Sequence, residues 1–101
     1  MSSDIIIGPA GAYGTFPAQI ELEGAPYWLV RGEDGRYALL MAICPHAGGE
    51  VRLVEGMFFC PLHFWTFDTA DGSCLNMQDE RLMRRDVEER DGMLYAVSAP
   101  Y

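Results

Sequence analysis

Both histidines of the chain and two of its three cysteines fall between residues 44 and 63, written Cys44-Pro45-His46 and Cys60-Pro61-Leu62-His63, with thirteen residues between His46 and Cys60. A thiolate and an imidazole in each short motif make a matched set of metal ligands, because Cys and His are the side chains that hold zinc and iron. Each motif follows an apolar run of strand-like composition, so the ligands are expected in loops after strands. One tetrahedral zinc could take two Cys and two His, but its paired ligands usually stand two to four residues apart, and the single residue between Cys44 and His46 pinches that geometry. Two neighbouring irons bridged by sulfide remove the difficulty: Cys44 and Cys60 converge on one iron, His46 and His63 on the other. The zinc reading, a structural module that binds a partner, stays open beside it. Cys74 lies outside both motifs and reads as a buried or half-buried small residue near a turn.

The elements that must position these ligands are short. Runs of four to eight residues rich in Ile, Val, Tyr, Phe and Trp recur between Gly and Pro, which predicts an antiparallel all-β domain. Strands are expected near Asp4 to Ile7, Phe16 to Leu22, Tyr27 to Arg31, Tyr37 to Ile43, Met57 to Cys60, Trp65 to Asp68 and Met93 to Val97. Glu33-Asp34-Gly35, Asp71-Gly72 and Asp91-Gly92 supply turn residues tolerant of positive φ. In Gln78 to Arg90 the composition favours helix, but Asp91-Gly92 directly before a strand is a hairpin signature, so Arg84 to Arg90 is assigned as the first arm. The acids and arginines interleaved from Asp79 to Asp91 read as a solvated face.

With 101 residues, half of them hydrophobic, the chain has room for one domain, and a bound cofactor would help so small a core. Fifteen acids against seven bases, all arginine, give a net charge of -8. Such a surface repels phosphate backbones and anionic lipid, so neither nucleic acid nor a membrane surface is an expected partner. The start, MSSDIII, has no basic region followed by a long apolar stretch, and the longest apolar run, Tyr37 to Cys44, is far short of the ~20 residues of a spanning helix. An odd number of cysteines argues against a disulfide framework and for a reducing, cytoplasmic address.

The two motifs and their surroundings, AICPHAGGEV, FFCPLHFWTFDTADGSC and the closing MLYAVS, resemble the Rieske family, specifically the small Rieske-type ferredoxins of bacterial oxygenases. HFWTF and the acidic turn after it look most like the ferredoxins of toluene-type multicomponent monooxygenases. The resemblance implies a [2Fe–2S] cluster held by Cys44, His46, Cys60 and His63, in a β-sandwich or barrel-like base spanning 1–101 with a small cluster-binding lobe at about 43–68. It implies a soluble one-electron carrier, monomeric when free and not itself an enzyme, between a flavin-containing NAD(P)H reductase and a terminal oxygenase. A small Rieske subunit of another complex, such as a nitrite-reductase-like one, is the alternative. The connection between the motifs is shortened around Glu50 to Gly56, and Gly49 and Leu62 stand where high-potential relatives carry a clamping disulfide. Trp65 and Phe67 replace the Ser and Tyr hydroxyls of those relatives, which implies a potential near the low end of the Rieske range of about -150 to +300 mV. Gly48 and Gly49 are expected to let backbone approach the cluster, while Pro45, Ala47, Leu62 and Phe64 form an apolar collar.

Overall fold

The computed structural model describes residues 4–45, 48–62 and 64–101. Among the described residues nine strands and one 3₁₀ turn follow one another: β1 (Ile5–Pro9), the turn (Ala10–Ala12), β2 (Ala18–Leu22), β3 (Ala25–Arg31), β4 (Tyr37–Met41), β5 (Arg52–Val54), β6 (Met57–Cys60), β7 (Trp65–Phe67), β8 (Arg84–Arg90) and β9 (Met93–Ala96). Six strands form one antiparallel sheet in the order β1-β9-β8-β4-β3-β2, and β5-β6-β7 form a second, smaller one. The protein is all-β with a nearly closed, barrel-like larger sheet.

The continuous apolar runs of β3 and β4 are explained by burial on both faces. Tyr27, Leu29 and Leu39 point into a core closed by Leu22, Leu94 and Ala96. Their alternate neighbours Trp28, Val30 and Leu40 point the other way, into a second core with Phe58, Trp65, Phe67, Val51, Cys44 and Cys60. That second core lies against the smaller sheet, and both motif cysteines are part of it. Trp28 stacks on Phe58 with ring centroids 5.4 Å apart, and its indole N–H donates to the carbonyl of Val51 at 3.1 Å. The larger sheet thereby holds the chain just after the first ligand motif.

Strands β6 and β8 have the residues that the sequence predicts. The Asp91-Gly92 turn that decided β8 against its helical composition has both residues at positive φ, +52° and +80°, between the paired Arg90 and Met93. Three expectations are corrected. The run Tyr37 to Ile43 ends as a strand at Met41, because Ala42, Ile43 and Cys44 turn away to pair with Val51, Glu50 and Gly49. The shortened connection is not a loop: Arg52–Val54 pairs in register with Met57–Phe59 across a Glu55-Gly56 turn, again with both φ positive. The charged stretch is not uniformly solvated either. Arg85 is only 4% exposed, donating from Nε to the Ser98 carbonyl at 2.8 Å and from its terminal nitrogen to Glu23 at 2.7 Å, with its guanidinium over the Tyr27 ring.

Candidate metal centre

Each ligand motif is the tip of a hairpin. In the first, the Cys44 N–H donates to the Gly49 carbonyl at 2.8 Å, and the Val51 N–H to the Ala42 carbonyl at 2.9 Å, so 42–44 and 49–51 are the arms and four residues, 45 to 48, make the tip. In the second, Cys60 pairs with Trp65 at the ends of β6 and β7, and the four residues 61 to 64 make the tip. The cysteines therefore sit at the last paired position of an arm, on structure more rigid than the expected loops. His46 and Ala47 in the first tip and His63 in the second lie outside the described residues.

Cys44 and Cys60 are buried, 1% and 0% exposed. The hairpins meet at Gly49, the pairing partner of Cys44. A methyl carbon built on Gly49 would stand 3.2 Å from the Cys60 Sγ and 2.7 Å from Leu62 Cδ1. Only a residue without a side chain lets the first hairpin come this close to the thiol of the second, the close approach expected of Gly49. Gly48 serves the turn itself: it stands at φ +71°, with its N–H donating to the Cys44 carbonyl at 2.9 Å. Gly49 and Leu62, the positions without cysteines for a clamp, touch each other, and Leu62 covers the glycine instead.

The flanking residues divide as their alternation predicts. Trp65 and Phe67 are buried in the core, their rings 6.5 Å apart, and offer no hydroxyl there. Leu62 and Phe64 are 61% and 69% exposed beside the tip, and Pro45 is exposed on the other hairpin. Cys74 is half-buried against the same core, as expected, and its thiol donates to Asn76 Oδ1 at 3.3 Å. Asn76 itself was not legible as a site residue. Its Nδ2 donates to the Phe64 carbonyl at 2.8 Å and its Oδ1 accepts from the Thr66 N–H at 3.1 Å, gripping the backbone just beyond the second tip.

Two buried thiols on facing hairpins, with a glycine-lined approach between them and a histidine in the sequence of each motif, are of the chemistry that a dinuclear iron–sulfur centre with mixed ligation would require. The profile of the Rieske [2Fe-2S] domain matches residues 9–87. The chain belongs to this family, whose cofactor is a [2Fe–2S] cluster.

Among curated relatives it is 32% identical over 84 residues to chlorophyllide a oxygenase of Chlamydomonas reinhardtii, a match that covers 74% of this chain and 13% of that protein. It is 34% identical over 62 residues to a cholesterol 7-desaturase of Hemicentrotus pulcherrimus, covering 57% of this chain and 13% of that one. The chain thus spans 13% of the length of either relative. Among solved structures it is similar to the ferredoxin component in the complex of reduced oxygenase and oxidized ferredoxin in carbazole 1,9a-dioxygenase, at TM-score 0.71 and 18% identity over 100% of this chain and 98% of that one. It is also similar to the plasma membrane Rieske protein PetC3 of Synechocystis, at TM-score 0.73 and 21% identity over 94% and 99%. These two likenesses show the fold. Among the described residues no helix is long and apolar enough to cross a membrane.

Proposed function

We propose that the protein is a one-electron carrier whose [2Fe–2S] cluster is held by Cys44 and Cys60 on one iron and by His46 and His63 on the other. The observation that carries this reading is the pair of buried thiols at the last paired positions of two hairpins that meet at Gly49. When bound, the cluster supplies one-electron redox chemistry and takes up no substrate atom. What the chain itself does is hold and screen. The core of Trp28, Phe58, Trp65 and Phe67 closes water out behind the thiols, and the Gly49–Leu62 contact closes one side. Trp65 and Phe67 bring apolar rings where a hydroxyl would favour the more negative reduced state, so the potential falls near the low end of the Rieske range, about -150 mV.

The partners of this reading are a flavin-containing NAD(P)H reductase as electron donor and a terminal oxygenase as acceptor. Support comes from the similarity to an oxygenase-associated ferredoxin along its whole length and from the exposed apolar side chains of Pro45, Leu62 and Phe64 at the tips, which offer a docking patch close to the cluster. HFWTF favours an oxygenase of the toluene type. The cytoplasm is the address that fits reduced thiols.

The test is low-temperature EPR of the purified protein before and after dithionite, with visible absorbance. A rhombic signal that appears only on reduction, with the low average g of imidazole ligation, and that disappears in His46→Ala and His63→Ala, is the expected result. A colourless protein that binds zinc and no acid-labile sulfide refutes the carrier and leaves the structural zinc module.

A further inference from the structure

The two ligand hairpins are built alike but closed differently. In each, the cysteine is followed by four tip residues, and the last of the four stands in the left-handed region: Gly48 at φ +71° and Phe64 at φ +56°. Glycine takes that conformation freely, whereas a residue with a side chain pays for the crowding of its Cβ against its own backbone. Phe64 cannot recover that cost from packing, since its ring is 69% exposed and its described ring partner is Phe59 at 5.9 Å. The backbone directly after its strained bond is instead held by one side chain twelve residues away. Asn76 donates to the Phe64 carbonyl and accepts from the Thr66 N–H, as a neighbouring strand's peptide would. The adjacent Leu75 N–H donates to the Thr66 carbonyl at 2.7 Å and extends this imitation strand.

We propose that Asn76 is a positioning residue for the second cysteine–histidine motif: its carboxamide fixes the left-handed turn at Phe64 and so sets the course of the chain where it returns from the motif into β7. This rests on the reading of Cys60 and His63 as ligands. Without Asn76, Phe64 relaxes to the right-handed or extended region, and the direction of the chain between the motif and β7 changes. The residue acts through the main chain that it holds, and its Oδ1 also accepts from the Cys74 thiol.

The experiment compares purified wild type, Asn76→Ala, Asn76→Asp, Phe64→Gly and the Asn76→Ala/Phe64→Gly double variant by EPR of the reduced cluster and by the rate at which a chelator bleaches the visible absorbance. Asn76→Ala shifts the EPR principal values and speeds bleaching about tenfold, the factor that matches loss of a net-favourable hydrogen bond. Asn76→Asp keeps the shape and the Thr66 acceptor, loses the donor to Phe64, and moves both readouts in the same direction. Phe64→Gly makes the second tip resemble the first, so in that background removing Asn76 changes bleaching by less than about twofold. An Asn76→Ala protein indistinguishable from wild type overturns the proposal, as does an Asn76→Asp protein indistinguishable from wild type, or an effect of undiminished size in the Phe64→Gly background. His63→Ala serves as the control: if it leaves the spectrum unchanged the ligand reading fails and takes the proposal with it, while a lost signal there beside a silent Asn76→Ala sinks the proposal alone.

Discussion

At the residue scale, Gly49 stands where the two hairpins meet and has no room for a side chain. Its two closest neighbours are of different kinds: the Leu62 tip belongs to a half-free side chain that can swing into solvent, and the Cys60 Sγ belongs to a thiol with no exposed surface. Gly49→Ala is therefore expected to displace Leu62 at little cost and to press on the sulfur at a cost of about 1–3 kcal/mol, typical of overpacking. Measured as iron and sulfide per chain after purification, cluster content falls in Gly49→Ala and stays low in Gly49→Ala/Leu62→Ala. Recovery in the double variant would mean that the leucine contact alone matters. Leu62→Ala by itself opens the side of the Cys60 sulfur to water and leaves the fold intact, read as faster bleaching by chelator with an unchanged unfolding midpoint.

At the scale of the strand and the hairpin, the pair formed by Arg85 on β8 and Glu23 in the β2–β3 turn joins two strands that are not neighbours in the sheet. Arg85 is buried and Glu23 half exposed, so Glu23→Ala leaves a cation with the Ser98 carbonyl and the Tyr27 ring but no counter-charge. A loss of about 1–2 kcal/mol in denaturant unfolding is expected, between the values for exposed and buried pairs. This scale is also where sequence reading succeeded and failed for identifiable reasons. Met57–Cys60 and Arg84–Arg90 were legible because turn chemistry bounds them: Cys60 opens a Pro-containing tip and Arg90 precedes Asp91-Gly92. Arg52–Val54 was not, since three exposed residues show no alternation and Glu55-Gly56 is a weaker turn signal than Asp-Gly, although it adopts the same two positive φ values. The two cysteines that the hairpins bring together at Gly49 were singled out in the sequence by type and spacing. Asn76 was not, because a lone amide acting on main chain ten and twelve residues away leaves no periodicity in the sequence.

At the scale of the whole molecule, charge and apolar surface make separable contributions to meeting a partner. A net charge of -8 steers the chain toward a basic surface and raises the encounter rate, while Leu62 and Phe64 at the tip provide contact once the partners touch. The second-order rate of electron transfer to a basic oxygenase is therefore expected to fall as ionic strength rises from 0.01 to 0.15 M, where the screening length drops from about 30 to 8 Å. Phe64→Ser slows transfer at high and low salt alike; a salt-independent rate would remove charge from the account. The hairpin that ends at Glu55-Gly56 bears on kinship and engineering. Its arms are paired in register all the way to a two-residue bend, so the number of residues separating the two ligand motifs can change at that bend without moving either motif. Relatives whose two motifs stand further apart are therefore expected to differ in the length of this hairpin, and a spectroscopic label or affinity epitope grafted between Glu55 and Gly56 is expected to leave the reduced-state spectrum as it was.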